Sequence, residues 1–504
     1  MPQNNWEEDA LTNAIQFDAL EKVLQKVVGS LENFQVNLDV ATADINKVSQ
    51  RSSDIHVRLN NMKKVESAMG AEIDTGILPP TLIKTICTGD MDHPSWATAL
   101  EQLEIYIGDE KSVVNNEKLM LLSQESSGEQ MELCQKLCYK AIERIRNYIV
   151  VTIKLFRHGL VDVASMRKHR LIAKKSYYSF LSKHNPQLSL ELRKAYINTM
   201  SWYYHYHFYH YSLLLSRVNI HKGELIRPEE DRKGFFMLGK GSTQIQSSRM
   251  FSLDLRSQNF DINSVLMAST LNHIESSPQF LERVYFSWEL VFTEHASAEY
   301  SFLVEYFELS MDEQKTIFQT IFDDTLQLSQ QYVSDLISTS LDSISILKCI
   351  RFTQDLILQS QKNLVPVIEP HYTAMIILLW PRLQTIMDLH SESLQKCPLP
   401  SKPDDLASTP HPLTQRVSEL LYSLATLSAN SLEAEPLTHS VSRLSHDFTA
   451  LLYRFCEGMS DKRKRNRFLS NNFTLISTVL SGAHGKLASD QKLYFEELND
   501  KVND

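Results

Sequence analysis

Histidine is a common metal ligand, and three histidines lie close together at positions 205, 207 and 210. In a helix, His205 and His207 point about 200° apart, so they cannot bind the same ion, and only His207 and His210 share a face. No acidic residue is near enough in the sequence to complete a ligand set. We therefore expect no metal site, and we interpret the surrounding aromatic residues as a packed helix whose tyrosine and histidine tips reach water.

A second candidate is a phosphate-binding loop. The stretch from Gly234 to Lys240 fits the pattern G-x-x-x-x-G-K, in which backbone amides and the lysine hold phosphates. However, Gly241 stands where a Ser or Thr should bind magnesium, and a charged segment precedes the motif instead of a buried strand. We interpret this stretch as a flexible basic loop.

The cysteines and the short catalytic motifs argue against an enzyme. Cys134 and Cys138 are four residues apart, whereas zinc pairs are usually C-x-x-C with a second pair downstream, so we expect core or surface thiols. The sequence contains no G-x-S-x-G, no H-E-x-x-H and no glycine-rich dinucleotide turn. We expect no catalytic residue, no cofactor and no enzyme activity.

Lys462, Arg463, Lys464 and Arg465, followed by Arg467, form the densest basic cluster of the chain. Such a cluster could be a nuclear signal, a contact for anionic lipid or an acidic partner, or the solvated start of a helix. We favour the solvated helix start.

The composition indicates long helices in a reducing compartment. The 504 residues predict about three domains, or fewer elongated ones, and 14 glycines are about half the usual proportion. The net charge of -10 argues against nucleic-acid binding, and six cysteines do not form a disulfide framework. The longest apolar run, residues 374–380, is far shorter than the ~20 residues that span a bilayer, and we see neither a secretory signal nor a lipidation motif. We therefore expect a protein on the cytosolic side, associated with membranes only peripherally and through partners.

The first ninety residues carry a heptad pattern. From Leu20 to Ile73, steps of four and three reach sixteen positions, of which fourteen are apolar, so the segment should form a left-handed coiled coil. We predict that its seam binds partner helices. The predicted partner-binding residues are Leu20, Leu24, Val27, Leu31, Phe34, Leu38, Ile45, Val48, Ile55, Leu59, Met62 and Met69.

The seam needs a partner because no second stretch of similar length could fold back on it. Most flanking e and g positions carry no charge; Gln35, Thr42 and Ser49 stand at e, and Ser30 and Asn37 at g. Homodimeric zippers usually have complementary charges at these positions. The pattern favours a bundle with different chains over a homodimer.

We predict an all-α fold in which the coiled-coil arm leads into an elongated rod of helical bundles. Pro381 should break a helix after Trp380, whose indole we expect to be buried. Residues 413–504 should form three short amphipathic helices. The predicted segments are a coiled-coil assembly arm (1–78), a helical segment (79–220), a linker or long loop (221–262), a helical bundle (263–396), a proline-rich loop (397–412) and a C-terminal helical bundle (413–504).

Four segments, together with the arm, resemble a known family in the same order along the chain. They are Ile77-Leu-Pro-Pro-Thr-Leu-Ile-Lys-Thr-Ile86, Arg232-Lys-Gly-Phe-Phe236, Leu378-Leu-Trp-Pro-Arg-Leu383 and Phe468-Leu-Ser-Asn-Asn-Phe473. On these motifs, which cover nearly the whole chain, the protein resembles the vacuolar protein sorting-associated protein fifty-two family. The segment at 378–383 is the most specific. The chain ends soon after Leu480, where many family members continue, so contacts made through a distal C-terminus are in doubt.

The resemblance implies a subunit of the Golgi-associated retrograde protein complex (GARP), or in some lineages also of the endosome-associated recycling complex. These multisubunit tethers catch endosome-derived vesicles at the trans-Golgi network and promote SNARE-dependent fusion. The implied partners are sister subunits, a Golgi Rab GTPase and SNAREs, with peripheral localisation on Golgi and endosome membranes. Two alternatives are a subunit of a related tether, of the exocyst or conserved oligomeric Golgi class, and a coiled-coil scaffold unrelated to membranes. The residues that contact a particular Rab or SNARE do not follow from the sequence.

Overall fold

The computed structural model has helical regular structure throughout the residues it describes, apart from an isolated parallel bridge between Ile220 and Gln279. The predicted all-α fold is confirmed. The chain separates into two compact units, Met1–Glu143 and Arg144–Asp504, here called unit 1 and unit 2. The described residues are 5–76, 78–113, 126–158, 162–226, 250–254, 256, 266, 278–399, 409–429, 435–459 and 461–503.

Unit 1 contains a very long helix and a helical hairpin. Helix α1 spans Asn5–Gly76, and its 72 residues correspond to a length of ~110 Å at 1.5 Å per residue. It ends ahead of Pro79-Pro80, as the sequence predicted. Helices α2 (Pro80–Thr88) and α3 (Pro94–Val113) pack together through buried apolar side chains. These side chains include Leu82, Ile86, Trp96, Leu100 and Leu103.

Helix α4 spans Ser126–Leu155 and contributes its residues from Arg144 onward to unit 2. Helix α3 continues to Val113, and α4 begins at Ser126. After α5 (Val163–Met166), a π-helical turn at Arg167–Leu171 and a 3₁₀ turn lead into the next helix. The remaining helices are α6 (Lys175–His184), α7 (Pro186–Leu215), α8 (Leu281–Phe307), α9 (Met311–Ser338), α10 (Ser343–Lys362), α11 (Glu369–Gln395), α12 (Pro412–Leu427), α13 (Pro436–Glu457), α14 (Lys462–Leu480) and α15 (Lys486–Asn503).

Local sequence explains where several helices begin. Asn185 accepts a hydrogen bond from the backbone of α7, and Asp342 does the same for α10. Such side chains satisfy amides that have no partner within the helix. Ser310 and Glu313 form a capping box at the start of α9. Proline stands in the first turn of α7, α12 and α13, where its missing N–H costs nothing.

The core of unit 2 is built around α7, α8 and α9 and is rich in aromatic residues. Tyr204 of α7 stacks on Phe322 of α9 with ring centroids 4.5 Å apart. The indole of Trp288 in α8 donates a 2.7 Å hydrogen bond to Ser329 of α9. Ser329 is buried on the inner face of α9, whereas its neighbour Leu328 is only half-buried. The polar residue lies inside because the buried indole needs an acceptor.

The C-terminal helices pack as amphipathic neighbours. The faces predicted for α13 and α14 are buried, including Leu444, Phe448, Phe473 and Ile476. The prediction of three helices after the proline-rich loop is wrong, since a fourth, α15, packs against α14. Its inner face carries Gln491, which accepts a 2.6 Å hydrogen bond from Ser445. This glutamine interrupts the apolar periodicity and concealed the helix in the sequence.

Helix α11 corrects a further prediction. Pro381 lies inside the helix instead of ending it, and Trp380 is half-buried instead of fully buried. A proline removes the hydrogen bond to the carbonyl four residues earlier, here that of Ile377. The side chain of Ile377 is 65% exposed, so this turn of the helix faces water, which can solvate the released carbonyl.

Candidate assembly interface

The predicted seam of α1 is exposed to solvent. Eleven of the twelve predicted partner-binding residues have described side chains, and their exposed fractions run from 44% at Leu59 to 74% at Met62. The twelfth, Met69, lies in α1, but its side chain is outside the described residues. The eleven are Leu20, Leu24, Val27, Leu31, Phe34, Leu38, Ile45, Val48, Ile55, Leu59 and Met62. Exposed apolar area of this extent marks an interaction surface.

Two charge pairs of α1 lie along the helix itself. Lys22 bonds to Asp18 at 2.8 Å, and Lys47 lies 3.6 Å from Asp44, in pairs spaced four and three residues apart. The hydroxyl of Thr42 at an e position donates to the carbonyl of Leu38 at 2.7 Å, so it too is satisfied within the helix. Of these side chains, only Asp44 at g and Thr42 at e lie beside the seam, since Asp18, Lys22 and Lys47 are at the outer b, f and c positions.

Apolar residues also extend beyond the a and d positions. Val23 and Val65 at g and Val28 at e are 49–57% exposed and widen the seam on both sides. Val36 and Val57 stand at f, on the outer face, and are 58% and 53% exposed. A two-stranded coiled coil buries only a narrow a/d stripe, whereas a wider apolar surface suits a helix surrounded by several others.

Two family models together match almost the entire chain. The model described as "Vps52/Sac2 family, coiled-coil" matches residues 6–181, and the model described as "Vps52, C-terminal" matches residues 198–504. The chain belongs to the Vps52 family.

Curated relatives support this assignment. Vacuolar protein sorting-associated protein 52 of Schizosaccharomyces pombe is 60% identical over 97% of this chain and 96% of its own length. The Saccharomyces cerevisiae protein of that name is 22% identical, covering 92% of this chain and 81% of its own length. The human homologue is 23% identical over 92% of this chain, which spans 64% of the human protein. The family and the general function predicted from the sequence, vesicle tethering in vacuolar protein sorting, are confirmed.

The histidines of this Vps52-family chain lie on α7 among aromatic rings. His207 contacts Tyr203 and His210 contacts Tyr206, with centroids 4.3 and 4.4 Å apart. Burial, more than the nearby His210, lowers the pKa of His207, which favours the neutral ring. Within the described ranges, no three His, Cys, Asp or Glu side chains are placed to hold a metal ion.

The structure also shows where the cysteine pair and the basic cluster lie. Cys134 is buried, Cys138 is half-buried, and neither forms a disulfide. Lys462 begins α14, as expected for a basic helix start, and Asp461 caps that helix. The glycine-rich stretch from Gly234 to Gly241 lies outside the described residues. Among the helices that the structure does describe, none has the length and apolar character needed to cross a bilayer.

The core of unit 2 contains a buried ionic network that had no signal in the sequence. Glu299 of α8, completely buried, pairs with Arg167 of the π-helical turn. It also accepts hydrogen bonds from the hydroxyls of Tyr196 at 2.7 Å and Tyr204 at 2.8 Å. Burial and the Glu299 charge raise the pKa of both tyrosines, so they remain protonated donors. This network joins α7, α8 and the turn before α6, and none of its members is more than 5% exposed.

A second network fixes the start of α10. The guanidinium of Arg256 donates to Asp342 at 2.7 Å and lies 3.5 Å from Glu282. Although burial opposes it, the Arg256 charge lowers the pKa of Asp342, so the carboxylate stays ionised. In the sequence, only Asp342 followed by Ser343 indicated this site, as a helix N-cap. The ionic partners could not be predicted, because Arg256 and Glu282 lie 86 and 60 residues from Asp342 along the chain. Both networks are structural, since each is sealed inside unit 2.

Proposed function

We propose that this chain is a non-catalytic subunit of a GARP-like tethering complex that acts in retrograde transport from endosomes to the trans-Golgi network. In this proposal, α1 is the assembly element, and unit 2 provides the folded body of the subunit. The chain belongs to a family whose members are named for vacuolar protein sorting, which supports the transport role.

The observation that carries the proposal is the exposed seam of α1. Eleven seam side chains are 44–74% exposed, although burying a leucine or similar side chain contributes ~1.5–3 kcal/mol. A cytosolic chain gains that free energy only by binding other helices. A surface this long and apolar therefore supports permanent assembly in preference to a brief encounter.

The flanks of the seam support a bundle of different chains. Homodimeric coiled coils usually have complementary charges at the e and g positions, whereas most e and g positions of this helix carry no charge. The valines beside the seam and on the outer face make the apolar surface wider than a single partner helix can cover. We therefore propose a hetero-oligomeric bundle formed with sister subunits.

We propose that a Golgi Rab GTPase and SNAREs bring this complex to the cytosolic face of trans-Golgi and endosomal membranes, with a cytoplasmic pool in exchange. No cofactor enters this account, because the chemistry of tethering is binding alone. The chain holds sister subunits through α1, and the complex links vesicle to target before SNARE-dependent fusion.

The test is purification of the tagged, full-length chain from its own cells, followed by mass spectrometry of the native complex. We expect sister tethering subunits in near-stoichiometric amounts and, in imaging, Golgi and endosomal puncta that disperse when the Golgi Rab is removed. Exocyst or conserved oligomeric Golgi subunits in their place would assign the chain to a related tether. Recovery of the chain as a homodimer away from membranes would refute the tethering role and identify a scaffold.

Recruitment has a separate control. A variant with Lys462, Arg463, Lys464 and Arg465 neutralised should keep most of its Golgi localisation while the Rab is present, because partners supply most of the attachment. A cytosolic distribution of that variant would show that the basic cluster is the main anchor.

A further inference from the structure

Several helix ends meet at one end of the unit 2 bundle. Arg454, near the end of α13, donates hydrogen bonds to the carbonyls of Gln395, the last residue of α11, at 2.9 Å and of Cys397, just beyond it, at 3.5 Å. Asn466, in the second turn of α14, donates to the carbonyl of Val502 near the end of α15 at 2.9 Å. The ends of α11, α13 and α15 and the start of α14 therefore lie side by side.

Basic side chains outnumber acidic ones at this end of the bundle, where Glu457, Asp461 and Asp500 are also exposed. Lys462, Arg463, Lys464 and Arg467 of α14 are exposed, and α15 adds the exposed Lys501. We call these five residues the basic end. The chain as a whole carries a net charge of -10, so the basic end is opposite in sign to the average surface.

The fold gains little from these cations. Positive side chains in the first turn of a helix oppose its dipole. The amide of Arg463 is already capped by Asp461 at 3.0 Å, so the backbone is not an open anion site. Among the described residues, Lys462, Arg463 and Arg467 have no salt-bridge partner. Their charge is left available to a ligand outside the chain.

Two exposed apolar side chains lie around Arg454, near the end of α13. Leu399, two residues beyond the Cys397 carbonyl that Arg454 contacts, is 58% exposed. Tyr453, next to Arg454, is 41% exposed. Cations beside exposed leucine and tyrosine suit the headgroup region of a bilayer, where the charges meet anionic lipid and the apolar groups enter the interface.

We propose that the basic end is a contact site for anionic bilayers and turns the ends of α13 and α15 and the start of α14 toward the lipid. This goes beyond the proposed assembly role, since it involves residues of unit 2 and no partner protein. The contact orients unit 2 at a membrane that partners have selected. The net negative charge of the chain favours this orientation, because an anionic membrane repels the rest of the protein surface and attracts the basic end.

The experiment is co-sedimentation of the purified full-length chain with vesicles of phosphatidylcholine alone or with about 30% phosphatidylserine. Each cation at an anionic surface strengthens binding roughly fivefold. Replacing Lys462, Arg463 and Arg467 together by glutamine should therefore weaken binding to anionic vesicles more than tenfold. Raising the salt from about 0.1 to about 0.5 M should weaken binding of the unaltered chain in the same way.

The matched control removes three exposed cations elsewhere in unit 2, at Lys194, Lys315 and Lys362, again as glutamines. We expect this control to bind anionic vesicles like the unaltered chain, and both variants to keep the same circular dichroism and melting curve. If the control variant lost as much binding to anionic vesicles, the effect would come from net charge alone, and the proposed site would be refuted. Equal binding to neutral vesicles, or tight binding to an acidic peptide without vesicle binding, would also overturn the proposal. None of these results depends on complex assembly, so the proposed tethering role is tested separately.

Discussion

Replacing Leu31, Leu38 and Leu59 together by aspartate should abolish assembly while unit 2 stays folded. These a-position side chains are 60%, 53% and 44% exposed, so about half of each remains to be buried by partners. Full burial of a leucine contributes ~1.5–3 kcal/mol, and half-burial of three gives about 3 kcal/mol, or roughly a hundredfold in the association constant. Placing three carboxylates in an apolar seam adds a further desolvation cost.

The assay is recovery of sister subunits with the tagged chain, alongside thermal melting of the purified chain. The control places three aspartates on the outer c and f positions of the same helix, at Asn33, Gln50 and Asn61. This control adds the same charge to α1 and should assemble normally. Full recovery of partners by the seam variant would refute the account of α1. Loss of the unit 2 melting transition would show that the exposed leucines support the fold instead.

Three further predictions concern the interior of unit 2. Glu299→Gln leaves the buried guanidinium of Arg167 without its carboxylate and should cost about 3–5 kcal/mol in urea denaturation, part of which Arg167→Met should restore. Gly223→Ala should cost roughly 1–3 kcal/mol, because φ is +76° and the new Cβ would lie 2.5 Å from the amide of Asp342; an unchanged midpoint would contradict this. Burial lowers the pKa of His390 from 6.5 to about 4. Between these values the unfolded chain binds a proton that the folded chain excludes, so acidification from pH 7 to 5 should lower the free energy of unfolding by about 2 kcal/mol. His390→Gln should remove that part of the pH dependence, and an equal slope in both proteins would contradict the assignment.

The sequence was most informative where one physical rule acted alone. The heptad spacing from Leu20 to Ile73 depends only on the helical period, and α1 is one unbroken helix. The apolar faces of α13 and α14 follow from the same rule. Proline stands at several helix starts, as at Pro186 and Pro412, because the first turn tolerates a missing amide.

The predictions were wrong where a residue distant in the sequence contacts the segment and changes the structure that its local pattern favours. Gln491 reads as a surface residue until Ser445 supplies its hydrogen bond from α13, and so α15 was missed. Pro381 reads as a helix end until neighbouring helices hold α11 together on both sides of it. Glu299 and Arg167 read as two solvated charges, since the 132 residues between them conceal the pair. None of these partnerships has a signature within a sequence window.

The two units differ in where their free energy of folding comes from. Unit 2 buries its own aromatic side chains and pairs its own charges, as at Glu299, so its stability belongs to one chain. Helix α1 has its apolar seam in water, and between Asn33 and Asn61 it is rich in Ser, Thr, Asn and Val, which are weaker helix formers than Ala or Leu. Helices without tertiary contacts gain little from propensity alone. The order of the arm must then come from partner helices that cover the seam, and its stability becomes a function of their concentration. Folding of the arm and assembly of the complex are, on this reasoning, the same thermodynamic event.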